Sequence, residues 1–184
     1  MKRERSAVAA LLVLSVIIGP ADTASGKAGE GVAVLSQVRI APHDTFDRVV
    51  FEFTGATLPQ ATINGPQANG PGVVTADPSG SPVVVSGAQV LTVAMSPAVA
   101  TYAASNPPGP LYSGPTAFNP TDTANVVHVV QIGDFESVLT WAIGLRGAAT
   151  PSVSVLSAPT RVVVDIPHTA TPAQPATGGP SFTG

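Results

Sequence analysis

Among its 184 residues the chain has no cysteine. A domain without disulfides must stand on its own apolar core, and with no cysteine to carry a lipid the chain reads as a non-lipoprotein. Charge is scarce as well: charged residues make up 10%, and Lys27 is the last lysine. Long helices with solvated, charged faces find little material here. A nucleic-acid surface needs clustered Lys and Arg, and no such cluster follows residue 5 in a chain of net charge −3; nucleic acid is excluded as a partner. The sequence also lacks a Gly-x-Ser-x-Gly elbow, an HExxH pair, a phosphate loop and a cysteine nucleophile. No catalytic residue, no metal and no cofactor is assigned.

What the chain does have is 44% hydrophobic residues, 18 Gly and 19 Pro. Val, Ala, Thr, Gly and Pro in these amounts fit short strands joined by many turns, and the length suits one domain with a real core. The first residues have another character. "MKRER" is a basic n-region, "SAVAALLVLSVIIG" an apolar h-region and "PADTASGKAG" a small-residue exit. That pattern is a secretory signal, and its apolar run is shorter than the roughly 20 residues that span a bilayer. Residues 1–21 are therefore expected to be a signal peptide, cut somewhere between 21 and 28, leaving no stable transmembrane span. Cleavage after Ala21 removes Lys2, Arg3, Glu4 and Arg5 and leaves five basic against ten acidic groups, a net of −5. Residues 22–31 read as a linker, 32–168 as the domain, and 169–184, rich in Pro, Gly and Thr, as a disordered tail.

Within the domain, period-two alternation marks strands. "VAVLSQVRI" (32–40) sets Val32, Val34, Val38 and Ile40 against Gln37 and Arg39, and "RVVFEFTG" (48–55) sets Val49, Phe51 and Phe53 against Arg48, Val50 and Glu52. Residues 72–75 and 82–86 suggest short edge strands, 90–95 a firmer one, and 97–104 a short helix or turn. "ANVVHVVQIGD" (124–134) is nearly all apolar, as in a strand covered on both faces. "SVLTWAIGLR" (137–146), "SVSVLS" (152–157) and "RVVVDI" (161–166) complete the set. The fold class expected is all-β, an antiparallel β-sandwich of short strands.

Two strands share a motif: "DRVVFEF" (47–53) and "TRVVVDI" (160–166) each run Arg-Val-Val, an apolar residue and a carboxylate. Residues four apart on a strand lie on one face but about 13 Å apart, so neither Arg pairs easily within its own strand. If the two strands are antiparallel neighbours, Arg48 faces Asp165 and Glu52 faces Arg161 as cross-strand partners. The alternative is two ordinary strands with separately solvated polar faces.

"HDTFDRVVFEFTG" (43–55), "GDFESVLTWAIGL" (133–145) and "APTRVVVDIPH" (158–168), in this order and spacing, resemble the signature blocks of the bacterial AMIN-like domain family. That family resembles in turn the AMIN domain, the targeting module of cell-wall amidases and some outer-membrane secretins. The resemblance implies an exported all-β domain without known catalysis, and, through AMIN proper, binding of peptidoglycan or placement of a host protein at the wall. Two features depart from it: Ser152-Val153-Ser154 stands where many relatives carry an aromatic–Arg pair, and the lipid-bearing cysteine of many relatives is missing.

Few residues are candidates for chemistry. His43, Asp44 and Asp47 are metal-type donors, but an Asp in a turn more often caps backbone amides. Asp134 and Glu136 have the residue types of a glycosidase pair, which needs its carboxylates about 5–9 Å apart across a cleft; a turn Asp and a surface Glu is the plainer reading. Tyr102, Tyr112 and Trp141 are the residues best suited to stacking on a sugar, although Trp141 shares its face with Leu139 and Ile143, as a core residue would. The expected role is a non-catalytic envelope binding or targeting module whose partner is a cell-wall glycan or an envelope protein. The alternatives are a secreted hydrolase acting on wall material and a protein–protein interaction domain.

Overall fold

The computed structural model describes residues 31–67, 72–101 and 111–168. The signal, linker, tail and Tyr102 readings lie outside these residues. Twelve strands and no helix are found among the described residues, so none is long and apolar enough to cross a membrane.

Sheet A is built from β1 (Ala33–Pro42), β2 (Phe46–Thr54), β7 (Ala98–Val99), β11 (Ser152–Leu156) and β12 (Thr160–Pro167), in the order β11-β12-β2-β1-β7. Sheet B takes β3 (Gln60–Gln67), β6 (Gln89–Ser96), β8 (Ala117–Phe118), β9 (Val126–Phe135) and β10 (Val138–Leu145), in the order β3-β6-β10-β9-β8. A separate two-stranded ribbon joins β4 (Gly72–Thr75) to β5 (Pro82–Val85). Pairing is antiparallel as expected, apart from the short β1–β7 contact, which is parallel. No helix forms at the start of 97–104; Ala98 and Val99 extend sheet A instead.

Alternation explains how the two sheets close on each other. On β2, Asp47, Val49, Phe51 and Phe53 are buried while the residues between them are partly exposed; on β12, Val162, Val164 and Ile166 face the same core. They meet Leu91, Val93, Met95, Leu139, Trp141 and Ile143 of sheet B. Trp141 is fully buried, its ring tilted 51° against Phe51 at 5.5 Å between centroids, an arrangement that adds about 0.5–1.5 kcal/mol to its burial. In β1 the pairing register slips between Leu35 and Gln37, leaving Ser36 in a bulge. The extra residue changes the phase, so that Leu35 and Val38, three apart, both enter the core. Sequence alternation, which carries Val34 and Val38 on one face, has no means of showing that slip.

The expected edge strands at 72–75 and 82–86 are not edges of the sandwich. They pair with each other, and with Val74, Val83 and Val85 they cover a second small core on the outer face of sheet B, made with Val90, Ile132 and Ala142. Close backbone approach fixes the ribbon: Ala88 N–H donates to Leu145 O at 2.7 Å and Asp77 N–H to Ile132 O at 2.8 Å. A Cβ on Gly144 would collide with the Ser86 carbonyl, and Gly87 sits at φ +132° directly over the Leu145 backbone. This cover explains why "ANVVHVVQIGD" lacks alternation.

Candidate functional site

The outer face of sheet A is organised by the β2–β12 register. Arg48 is opposite Asp165, Val50 opposite Val163 and Glu52 opposite Arg161; on the far side of β2, Arg39 is opposite Val50 and Gln37 opposite Glu52. Beyond β12, β11 adds Ser152, Ser154 and Leu156 to the same rows. Three rows result: Ala41–Arg48–Asp165–Ser152, Arg39–Val50–Val163–Ser154 and Gln37–Glu52–Arg161–Leu156.

Arg48 grips Asp165 with a two-pronged contact, Nε to Oδ1 at 2.7 Å and an Nη to Oδ2 at 2.8 Å, the fork geometry that suits guanidinium and carboxylate. The guanidinium also lies 5.1 Å from the Phe46 ring centroid, on a ring that stacks against His43. The Arg48 pKa is raised by the Asp165 hydrogen bond, against desolvation and helped by the same carboxylate's charge. Glu52 does not pair with Arg161 although their Cα atoms are opposite. It takes Arg39 from the other neighbouring strand at 2.7 Å, and Arg39 also donates to Gln37 Oε1 at 2.7 Å. Arg161 donates from Nε to Pro159 O at 3.3 Å and forms no ion pair among the described residues. The second half of the expected reciprocal pairing therefore does not form, because Glu52 lies between two arginines and a carboxylate in the middle of a sheet can be claimed from either side.

The other candidates fall into structural roles. Asp47 is fully buried, and its carboxylate accepts from the N–H groups of Ala124, Asn125 and Val126 at 3.1, 2.6 and 2.8 Å, with His168 Nε2 at 3.1 Å. Burial alone would push its pKa up; the three backbone donors and His168 outweigh that and hold it below the ordinary value. Asn125 extends the staple, donating to Pro167 O and accepting from Gly147 N–H, both at 3.0 Å. His43 and Asp44 stay exposed on the other side of the turn, so the three metal-type donors do not converge; among the described residues no group of three or more possible ligands does.

Asp134 accepts from the backbone N–H groups of Ala100 and Thr101 at 3.2 and 2.6 Å, which ties down the strand end after β7. Glu136 sits at φ 49° and Ser137 at φ 61°, the two centre positions of a tight β9–β10 hairpin of the type that needs positive φ at both. A shallow cleft of about 290 Å³ lies beside Asp134, lined also by Asp77, Thr101, Thr116 and Gln131; Glu136 is not part of it. Tyr112 is buried, its hydroxyl donating to Pro115 O at 2.7 Å, with its pKa raised by burial. Tyr112 and Trp141 thus belong to the core, and neither ring face is open to a sugar. His128 is half-buried beneath the ribbon; its Nδ1 accepts from Ser86 N–H at 3.2 Å, and burial lowers its pKa.

The described residues form a β-sandwich whose sheet A carries a charged, open outer face and whose sheet B is partly covered on its outer face by the β4–β5 ribbon. The model of the AMIN-like domain family matches residues 33–168, and the chain belongs to that family. Neither curated proteins nor solved structures give a match.

Proposed function

We propose that this AMIN-like domain is a non-catalytic cell-envelope module, exported by its N-terminal segment, that holds anionic wall polymer against the outer face of sheet A. One observation carries the reading. Of the four arginines among the described residues, Arg39, Arg48 and Arg161 stand on this single face of a protein whose net charge is −3. Arg39 and Arg48 are held in place by Glu52 and Asp165, while Arg161 keeps donors for an incoming carboxylate. Val50 and Leu156 give the same surface apolar area for the body of a chain. Peptidoglycan, whose peptide stems end in carboxylates, combines these two features, and membership of the AMIN-like family supports a wall-related role.

The test is co-sedimentation of the protein with insoluble peptidoglycan. Arg161→Glu should leave folding intact and weaken binding about tenfold or more, since a charge-assisted hydrogen bond is worth roughly 1.5–3 kcal/mol. Wild-type protein that stays in the supernatant, or an Arg161→Glu variant that pellets as well as wild type, overturns the proposal.

A further inference from the structure

Strand edges in exposed sheets invite pairing with other chains, and natural sheets protect them with short strands, bulges, charges or proline. Most edges of the two main sheets carry such protection. β7 and β8 have two residues each, and β1 beyond β7 carries the Ser36 bulge, Arg39 and Pro42. β3 contains Pro66 and a register break after Asn64. β11 has none of these. Its sequence Ser-Val-Ser-Val-Leu bears no charge and no proline, all five residues are exposed, and it pairs with β12 on one side alone.

We propose that β11 is a dimerisation edge, pairing antiparallel with β11 of a second copy about a two-fold axis through Ser154. The strand is self-complementary in that register. Ser154 lies opposite Ser154, Val153 opposite Val155 twice, and Ser152 opposite Leu156. The two Val153–Val155 pairs, each residue 37% exposed in the single chain, are of the β-branched kind that stabilises cross-strand contacts.

The charges of the flanking strand fit the same orientation. Each outer row then reads Arg48, Asp165, Ser152, followed by Leu156, Arg161 and Glu52 of the second copy, so signs alternate and Asp165 looks across the seam toward the unpaired Arg161. Three strand spacings separate those two, about 14 Å, so the term is small and screened. A parallel arrangement would turn the second sheet over, because a rotation that keeps the strand direction while joining the two edges reverses the sheet's faces, and the charged rows would not continue across the seam. Main-chain hydrogen bonds and the valines supply the affinity, and the antiparallel direction keeps both charged faces on one side. The product is an isologous dimer with one continuous ten-stranded sheet, whose two arginine faces lie side by side.

Sedimentation velocity over a concentration series, on the chain as recovered from culture and with no ligand added, tests this independently of any wall binding. Wild type should form a dimer. Ser154→Lys and Ser154→Asp, each placing like charges on the axis, should raise the dissociation constant about tenfold or more. An equimolar mixture of the two should recover the dimer, because Lys then faces Asp. Facing Cα atoms in such a pair are about 4.5–5.5 Å apart, within disulfide range, so Ser154→Cys in this cysteine-free chain should cross-link on mild oxidation while Val73→Cys, on the exposed ribbon, should not. A wild type monomeric at its highest soluble concentration overturns the proposal. So does a dimer indifferent to Ser154→Lys, or a Lys/Asp mixture that fails to associate.

Discussion

The two five-stranded sheets share one core and treat their outer faces in opposite ways. On sheet A the outer positions of β2 and β12 alternate charge with valine, and the face stays open. On sheet B a separate ribbon covers the outer positions Val90, Ile132, Ala142 and Gly144, while Thr92, Ala94 and Thr140 further along stay half-buried. Two five-stranded sheets thus yield an open surface in one case and a largely covered one in the other. The difference lies in one residue out of every two: a charged residue keeps water at that face, whereas a small apolar one needs a cover.

Asp47 offers the strongest way to break the comparison, since it joins β2 of the open sheet to the segment entering β9 of the covered one. Asp47→Ala leaves three N–H groups, two of them buried, without an acceptor and should cost on the order of 3–5 kcal/mol, read as the loss of denaturant midpoint. The same carboxylate sets an acid limit. Because its folded pKa lies below the ordinary 3.8, its contribution is complete above that value and is lost as pH falls through the folded value. Asp47→Asn, less stable at neutral pH, should show a shallower loss over that acid window.

Gly144→Ala sharpens the contrast on sheet B alone. The added methyl meets the Ser86 carbonyl, so the ribbon must shift, at about 1–3 kcal/mol. Hydrogen exchange should speed up in β4 and β5 and leave β2 and β12 unchanged; equal acceleration in both sheets would show that the ribbon is not a separate cover.

The smallest effect belongs to the open face. A double-mutant cycle on Arg48→Ala and Asp165→Ala should return a coupling of about 0.2–1 kcal/mol, because both side chains keep contact with water. A coupling of several kcal/mol would mean that this face is covered in solution.

The strands that were easy to read are those whose two faces differ in polarity. β2 and β12 alternate cleanly, and their shared motif marks Arg48 and Asp165 as partners before any coordinates. Glu52 was harder, because a motif on two strands says nothing of Arg39 on a third. β3 is hard to read: in "QATINGPQ" only Ala61 and Ile63 alternate toward the core before Gly65 and Pro66 end the pattern. The ribbon's strands were visible, but their seat on sheet B depends on contacts between Gly87, Gly144 and Ser86 that no local pattern encodes. Asp47 carries a signal of its own in the sequence. It continues the inward phase of Val49, Phe51 and Phe53, and a carboxylate on a core phase asks for buried donors. The burial of Tyr112 is not legible, because a proline-rich connection normally runs over the surface, whereas the Tyr112 ring packs into the core.

The register of β1, β2 and β12 has a mechanical consequence. β1 and β12 both run antiparallel to β2 and hence parallel to each other. The chain therefore enters at Ala33 at one pole of the sandwich and leaves at Pro167 at the opposite pole. Tension applied through the flanking segments pulls β1 and β12 along their lengths in opposite directions past β2. Such a load shears two whole ladders at once, so their hydrogen bonds share the force instead of opening one after another as in a peeled hairpin. A domain loaded through both of its flanking segments would therefore bear the strain along its strands and not across them.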